Sequence, residues 1–253
     1  MELIYYNGEH SVKFGDSHQG YKDSWTDWHL IPTSKPVIAP PTVKTKQVDI
    51  PGVYGVIDLT TVLTGYPIYG NRTGSLEFIL APGFESWESV KTKVMEYLGG
   101  RSMTMILSDE KYYYYIGTFA VGNLKADARN YGITINYDLY PFKRSLYASD
   151  DPWLWDPFNF ETGIIYDFSS LNVDGELTIR IEDCIEPVTP QFVSSDNMTL
   201  RHTFMASDGV TPRVREYQLK SGISEPTTLR PGLNLLQFVG TGVVRLHYRS
   251  GRL

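Results

Sequence analysis

The sequence predicts a mainly β protein of two β-sandwich domains, the N-terminal one carrying a single packed α-helix and an extended arm. Three observations lead there. Apolar residues alternate with period two through most of the chain, and only one stretch shows helical spacing. Aromatic residues reach 13%, led by 18 Tyr, while 22 Gly and 15 Pro punctuate the sequence. Aromatic side chains suit pleated, half-buried surfaces, and Gly and Pro suit turns. With 253 residues and 42% hydrophobic content, the chain has enough material for two ordinary cores.

The segment from Ser34 to Pro51 departs from the alternating pattern. It holds Pro36, Pro40, Pro41 and Pro51 among polar residues. Pro-rich chain is extended and stiff, so this stretch reads as an arm or loop leading into Val48-Asp49-Ile50. Leu76, Phe78 and Leu80 then alternate with Glu77 and Ile79, as a half-buried strand does.

Between Glu85 and Leu98 the spacing changes. Trp87, Val90, Val94, Tyr97 and Leu98 recur at intervals of three and four, giving a helix one apolar face with which to pack on a sheet. Glu85 and Glu88 sit at the positive end of its dipole, and Gly99-Gly100 supplies a stop that accepts positive φ.

Strand patterning resumes with Met103, Met105 and Leu107, and again with Ile133, Ile135, Tyr137 and Leu139. Tyr112-Tyr113-Tyr114-Tyr115-Ile116 begins a long strand with phenols on both faces, suited to an edge, a hairpin arm or an interface. The break between domains falls in the turn-rich, aromatic stretch between Pro141 and Gly163. The expected domains are residues 1–148 and 149–253. In the second, Leu177, Ile179 and Ile181 alternate with Thr178, Arg180 and Glu182, and Val244, Leu246 and Tyr248 with Arg245, His247 and Arg249. Pro231-Gly232 makes a turn. Short strands separated by turns fit a small antiparallel sandwich.

The formal net charge is -6, and Lys and Arg are scattered, in small groups such as Lys44 and Lys46. Tight binding to a phosphate backbone calls for a clustered basic face, which this chain lacks. A mildly acidic surface instead suits a path along which DNA passes without sticking. Cys184 is the single cysteine, so no intrachain disulfide forms, and its strand-like setting reads as a buried, inert thiol. No stretch approaches the run of about 20 apolar residues that a membrane helix needs. The N-terminus lacks the pattern of a secretory signal, so synthesis and folding in a reducing cytoplasm are expected.

Gly15-Asp16-Ser17-His18-Gln19-Gly20 resembles a nucleophile elbow, but its second Gly is one residue late and no helix follows, so Ser17 reads as a loop residue. His10, His18 and His29 crowd together with Asp16, Asp23 and Asp27, yet no spacing puts two His on one helical face or forms a zinc pattern. The carboxylate pairs Asp150/Asp151 and Glu182/Asp183 are adjacent, and adjacent strand residues point to opposite faces, so neither supplies the facing pair of a glycosidase. Gly240-Thr241-Gly242 lacks the third Gly and helix of a dinucleotide fold. The expectation is no enzyme, with no catalytic, metal-binding or cofactor-binding residues and no cofactor. Trp153, Trp155, Phe158 and Phe160 admit two readings, a carbohydrate-stacking platform or an interdomain packing cluster. Their place at the junction favours packing.

An ordered set of segments resembles the distal tail protein (Dit) family of siphophages infecting Gram-positive bacteria. It comprises Tyr6-Asn7-Gly8-Glu9-His10-Ser11, Trp28-His29-Leu30-Ile31, Val48-Asp49-Ile50-Pro51-Gly52 and Gly55-Val56-Ile57-Asp58-Leu59-Thr60. The helix from Trp87 to Leu98, Leu139-Tyr140-Pro141-Phe142-Lys143 and Trp155-Asp156-Pro157-Phe158-Asn159-Phe160-Glu161-Thr162 continue it. Leu229-Arg230-Pro231-Gly232-Leu233-Asn234 and Val244 to Leu253 are similar to the family's C-terminal, galectin-like sandwich. The length suggests the compact two-domain form, as in lactococcal phages.

The resemblance implies a structural hub of the tail tip or baseplate in the virion, assembled in the host bacterial cytoplasm. Such a hub is a homo-hexameric ring joining the major tail tube protein to a tail-associated fibre or lysin protein and to baseplate or receptor-binding proteins, with DNA passing through unbound. The alternative function is a carbohydrate-binding adhesion module that contacts the host cell wall.

Overall fold

The computed structural model describes residues 7–16, 20–52, 54–126, 131–152 and 167–253, apart from the side chains of Asp16 and Asp183. In chain order the strands begin with β1 (Val12–Asp16), β2 (Gly20–Asp23), β3 (Leu30–Pro32), β4 (Gln47–Asp49), β5 (Val56–Asp58) and β6 (Arg72–Leu80). Helix α1 (Trp87–Leu98) precedes β7 (Ser102–Leu107), β8 (Tyr113–Ala126), β9 (Tyr131–Leu139) and β10 (Lys143–Ser145). There follow β11 (Leu171–Cys184), β12 (Gln191–Ser194), β13 (Met198–Met205), β14 (Pro212–Leu219), β15 (Gly222–Ser224), β16 (Gly232–His247) and β17 (Gly251–Arg252). The architecture is mainly β. Two compact units divide the chain: residues 1–42, 69–143 and 253 in one, residues 43–68 and 144–252 in the other.

The first unit is built on an antiparallel sheet in the order β2-β1-β7-β8-β9-β6-β3. Its period-two residues do what their pattern predicts: Leu76, Phe78, Met103, Met105, Leu107, Ile133, Ile135, Tyr137 and Leu139 are all buried on one core. At about 1.5–3 kcal/mol per large apolar side chain removed from water, that row is the main stabilising term. Phe14 sits at its centre, edge-on to Phe119 at 5.1 Å and beside Trp28 at 6.0 Å.

Helix α1 closes this core with Trp87, Val90, Val94 and Leu98, the face expected from the spacing. It starts at Trp87 because Ser86 caps it, its hydroxyl oxygen accepting from the Ser89 N–H at 3.4 Å. It ends at Gly99, whose φ of 49° is the left-handed conformation a C-cap needs. Tyr97 ties the helix to the sheet, its hydroxyl donating toward the carbonyls of Phe14 (3.0 Å) and Gly20 (2.7 Å).

The second unit differs from the expectation of short strands. Two of its strands are long: β11 pairs with β16 in antiparallel register from Leu171↔Val244 to Cys184↔Gly232. Along its other edge, β16 pairs first with β13 (Phe204↔Asn234 to Thr199↔Val239) and then with β12 (Ser194↔Val244 to Gln191↔His247). The two halves therefore share long strands and close on one core, where Phe238 from one half meets Phe192 from the other at 6.2 Å.

Gly175, Gly240 and Gly242 lie inside these long strands. Asn234, Leu236, Phe238, Gly240, Gly242, Val244 and Leu246 follow one another on the inward face of β16, and the change of partner falls at the two glycines. Gly240 has a φ of 145°, and a Cβ there would stand 2.9 Å from the Met198 Cβ. Only glycine fits where the strand bends this close to its neighbour.

Candidate assembly surfaces

The Pro-rich arm is extended, with no helix or strand over residues 35–42, and it leads into a two-stranded ribbon. In that ribbon β4 and β5 pair through Gln47↔Asp58, Val48↔Ile57 and Asp49↔Val56, and all six residues are exposed. Backbone bonds brace its base: Leu59 N–H to the Lys46 carbonyl at 2.8 Å, and Lys44 N–H to the Ile68 carbonyl at 2.7 Å. Its chemistry is unusual for a surface. Val43, Val48, Ile50, Tyr54, Val56, Ile57, Leu59, Val62, Leu63 and Ile68 are exposed, with Leu63 at 92%. An isolated two-stranded ribbon is marginal in water, and contiguous exposed apolar residues of this kind mark interaction sites. At the segment's far end Gly65 lies against Ser207, where a Cβ would come within 2.6 Å of the Ser207 Cα.

A second surface belongs to the first unit. Strand β6 pairs with β9 along Arg72–Ile79, but on its other edge β3 covers only Phe78–Leu80. The Thr33 N–H reaches the Glu77 carbonyl at 2.9 Å. Beyond that point, no strand among the described residues covers this edge of β6. A cleft of about 360 Å³ lies here, lined by residues 32–37 and 75–78. An uncovered strand edge is a template for an incoming strand.

Arg72 stabilises the start of that strand from inside. Its Nε donates to the Pro141 carbonyl at 2.6 Å and its Nη1 to the Ala39 carbonyl at 3.2 Å, with its guanidinium carbon 5.8 Å from the centre of the Tyr115 ring. Burial lowers the Arg72 pKa, the nearby phenol and Glu110 opposing it. The Tyr115 phenol is pushed well up, by burial first and by Glu110, whose carboxylate accepts its hydroxyl at 3.0 Å. The Tyr-rich strand is not an edge: β8 runs between β7 and β9, with Tyr113 and Tyr114 half-exposed and Tyr115 buried.

The chemical candidates among the described residues are engaged in local structure. His10 and His29 have positive φ (61° and 53°), which makes them turn residues. His10 bonds Asp109 through Nδ1 at 2.7 Å, and His29 stacks on Phe84 at 4.1 Å. Asp23 accepts from the Trp25 N–H at 2.8 Å, and Asp27 accepts from Lys22 and from the Asp23 N–H. Among the described residues no three His, Cys, Asp or Glu gather as metal ligands would.

Asp150 pairs with Arg245 and, at 2.6 Å, with His247, while Asp151 accepts from the Ala148 N–H. Although burial raises the Asp150 pKa, the bonds from His247 and Arg245 more than offset it, and the carboxyl lies below its usual range. Glu182 pairs with Arg180, and Cys184 is buried. Ser17, His18, Trp153, Trp155, Phe158 and Phe160 lie outside the described residues. A cleft of about 420 Å³ beside the end of α1 is lined by Lys22, Asp27, Lys93, Glu96 and Arg101, among others. Its cations are committed: Lys22 to Asp27, Lys93 to Glu85, and Arg101 to the Glu96 and Tyr97 carbonyls.

Sequence reasoning missed a buried polar network in the second unit. Asn234 holds the Pro231-Gly232 turn: its Oδ1 accepts from the Arg230 N–H (2.9 Å), and its Nδ2 donates to the Arg230 (2.7 Å) and Gly232 (2.9 Å) carbonyls. The same Oδ1 lies 3.0 Å from the His202 Nε2, and the His202 Nδ1 lies 2.8 Å from the Thr227 hydroxyl. The one available signal was a His at an inward position of an alternating strand, and that pattern does not name its partners.

Together these features define a two-unit β scaffold whose distinctive surfaces are suited to contact. No protein-family model matches the chain, and no curated protein does. Among solved structures it is similar to the crystal structure of the Dit protein of phage SPP1, described as a paradigm of the hub adsorption apparatus in phages infecting Gram-positive bacteria. The match covers 96% of this chain and 99% of that one, with a TM-score of 0.54 and 13% identity. The chain therefore has the fold of a phage Dit protein.

Proposed function

We propose that this protein is a non-catalytic hub of a phage tail tip, carried in the virion and assembled in the bacterial host cytoplasm. One observation carries the reading: a likeness of fold to a hub adsorption protein that extends over nearly the whole of both chains. On this reading six copies form a ring that joins the tail tube protein to a tail-associated fibre or lysin protein and to receptor-binding proteins. DNA passes through the ring without specific binding, in keeping with a net charge of -6.

Ring-building is assigned to residues 1–148 and outward attachment to residues 149–253. Residues 43–68 are the exception, because they belong to the first part in sequence and to the second in packing. A closed ring needs a head-to-tail interface with two different patches on each subunit. The apolar ribbon and the uncovered edge of β6 are two such patches, and residues 34–50 and 110–121 are placed at the contact. Light scattering with negative-stain imaging tests the reading. A sixfold ring is the expected result, and a strictly monomeric protein at high concentration overturns it.

A further inference from the structure

A cationic site in the second unit is independent of the ring reading. Strand β14 pairs with β13 so that Arg215 faces His202 and Arg213 faces Phe204. His202 and Phe204 are inward and buried, but this end of the face is capped by guanidinium groups. The Arg230 guanidinium carbon lies 4.5 Å from the centre of the Phe204 ring, and that of Arg215 lies 5.5 Å from it. Two like charges thus converge on one phenyl ring.

The neighbouring carboxylates are turned elsewhere. Glu216 pairs with Arg201 at 3.0 Å, and Glu225 accepts from Gln191 at 2.8 Å. Asp208 takes the Thr211 hydroxyl and the N–H groups of Val210 and Thr211, with Arg213 as its nearby cation. Among the described residues neither Arg215 nor Arg230 has a carboxylate ion pair. Arg230 is also preorganised, since Asn234 holds both its N–H and its carbonyl. A guanidinium lying on an aromatic ring keeps its N–H edge free to donate, and such an edge matches oxyanion geometry. The guanidiniums and the core together cover the Phe204 ring, which leaves no bare aromatic face for a sugar to stack on.

We propose that Arg215 and Arg230, gathered on Phe204, form a binding site for a phosphate group. Two guanidinium forks supply more donors and more charge than one carboxylate satisfies, and the terminal oxygens of a phosphate use both. Burial is the main cause that lowers the His202 pKa, and the charges on Arg230 and Arg215 add to it, so an anion that neutralises them is felt at that imidazole.

The test is a titration of the full chain with inorganic phosphate, read on the arginine Nε–Hε and His202 signals by ¹⁵N-correlated NMR. Sodium chloride at equal ionic strength and sodium acetate are the comparison arms. The expected result is a saturable shift of Arg215 and Arg230 with phosphate alone, accompanied by a shift of the His202 ring. Arg215→Gln, on an exposed edge strand, should weaken it by about tenfold or more while leaving the remaining backbone spectrum in place. Arg230→Gln serves as the second variant. Equal shifts in phosphate and chloride, saturation by acetate as tight as by phosphate, or undiminished binding in both variants would each overturn the assignment.

Discussion

His202 donates from Nε2 to Asn234 Oδ1 across 3.0 Å, and this bond settles which ring nitrogen carries the proton. Asn234 uses its amide nitrogen on two backbone carbonyls, so its oxygen must accept. The His202 Nδ1 is then the acceptor for the Thr227 hydroxyl, and the neutral ring satisfies both partners. Burial is the largest cause holding the His202 pKa below its ordinary 6.5, with Arg230 and Arg215 adding to it and the bond to Asn234 opposing it.

The unfolded chain therefore takes up the His202 proton before the folded protein does. The stabilisation is complete above pH 6.5 and is lost as the pH falls toward the lower folded value. Urea unfolding should show a lower midpoint at about pH 5.5 than at about pH 7.5. His202→Gln should reduce that difference, and an unchanged pH dependence in the variant would count against the assignment.

Gly175 and Gly240 are cross-strand partners, and both have positive φ. A Cβ at Gly175 meets nothing, whereas one at Gly240 collides with Met198. Gly175→Ala should therefore cost only the conformational term of about 1 kcal/mol, and Gly240→Ala clearly more, about 2–4 kcal/mol. Denaturant titration of the two variants side by side gives the comparison.

Arg72→Met should destabilise the first unit by about 2–4 kcal/mol, because the Pro141 and Ala39 carbonyls lose a buried donor. Arg72→Lys should recover little of it, since one ammonium does not reproduce the fork that spans both oxygens. Thermal unfolding of both variants checks this.

Tyr54→Asp and Leu63→Asp alter exposed side chains, so each should leave stability within about 0.5 kcal/mol of the parent. Both should lower the oligomer mass measured by light scattering. Full-size oligomers in both variants would remove the ribbon from the proposed interface.

The sequence revealed the elements more readily than their partners. Trp87, Val90, Val94 and Leu98 announce a helix because their spacing is local, and Leu76, Phe78 and Ile133, Ile135 announce strands for the same reason. Nothing local at Gly240 and Gly242 announces that β16 bends there and changes partner, because a glycine looks the same in sequence whether a strand stops or continues. Val56, Ile57, Leu59, Val62 and Leu63 are apolar, but nothing local in the sequence shows that those side chains face water. Arg72 and Asn234 were not singled out as structural keystones, since their partners lie up to 69 residues away.

The contact between Gly65 and Ser207 also sets a schedule for biosynthesis. Translation proceeds at about 5–20 residues per second, so the apolar ribbon leaves the ribosome many seconds, on the order of 10 or more, before its packing partner exists. Through that interval the nascent chain displays its stickiest segment with no cover of its own. Completion of the chain anchors the far end of this segment at Ser207 but leaves its apolar side chains exposed, so on the proposed reading only assembly with other subunits covers them.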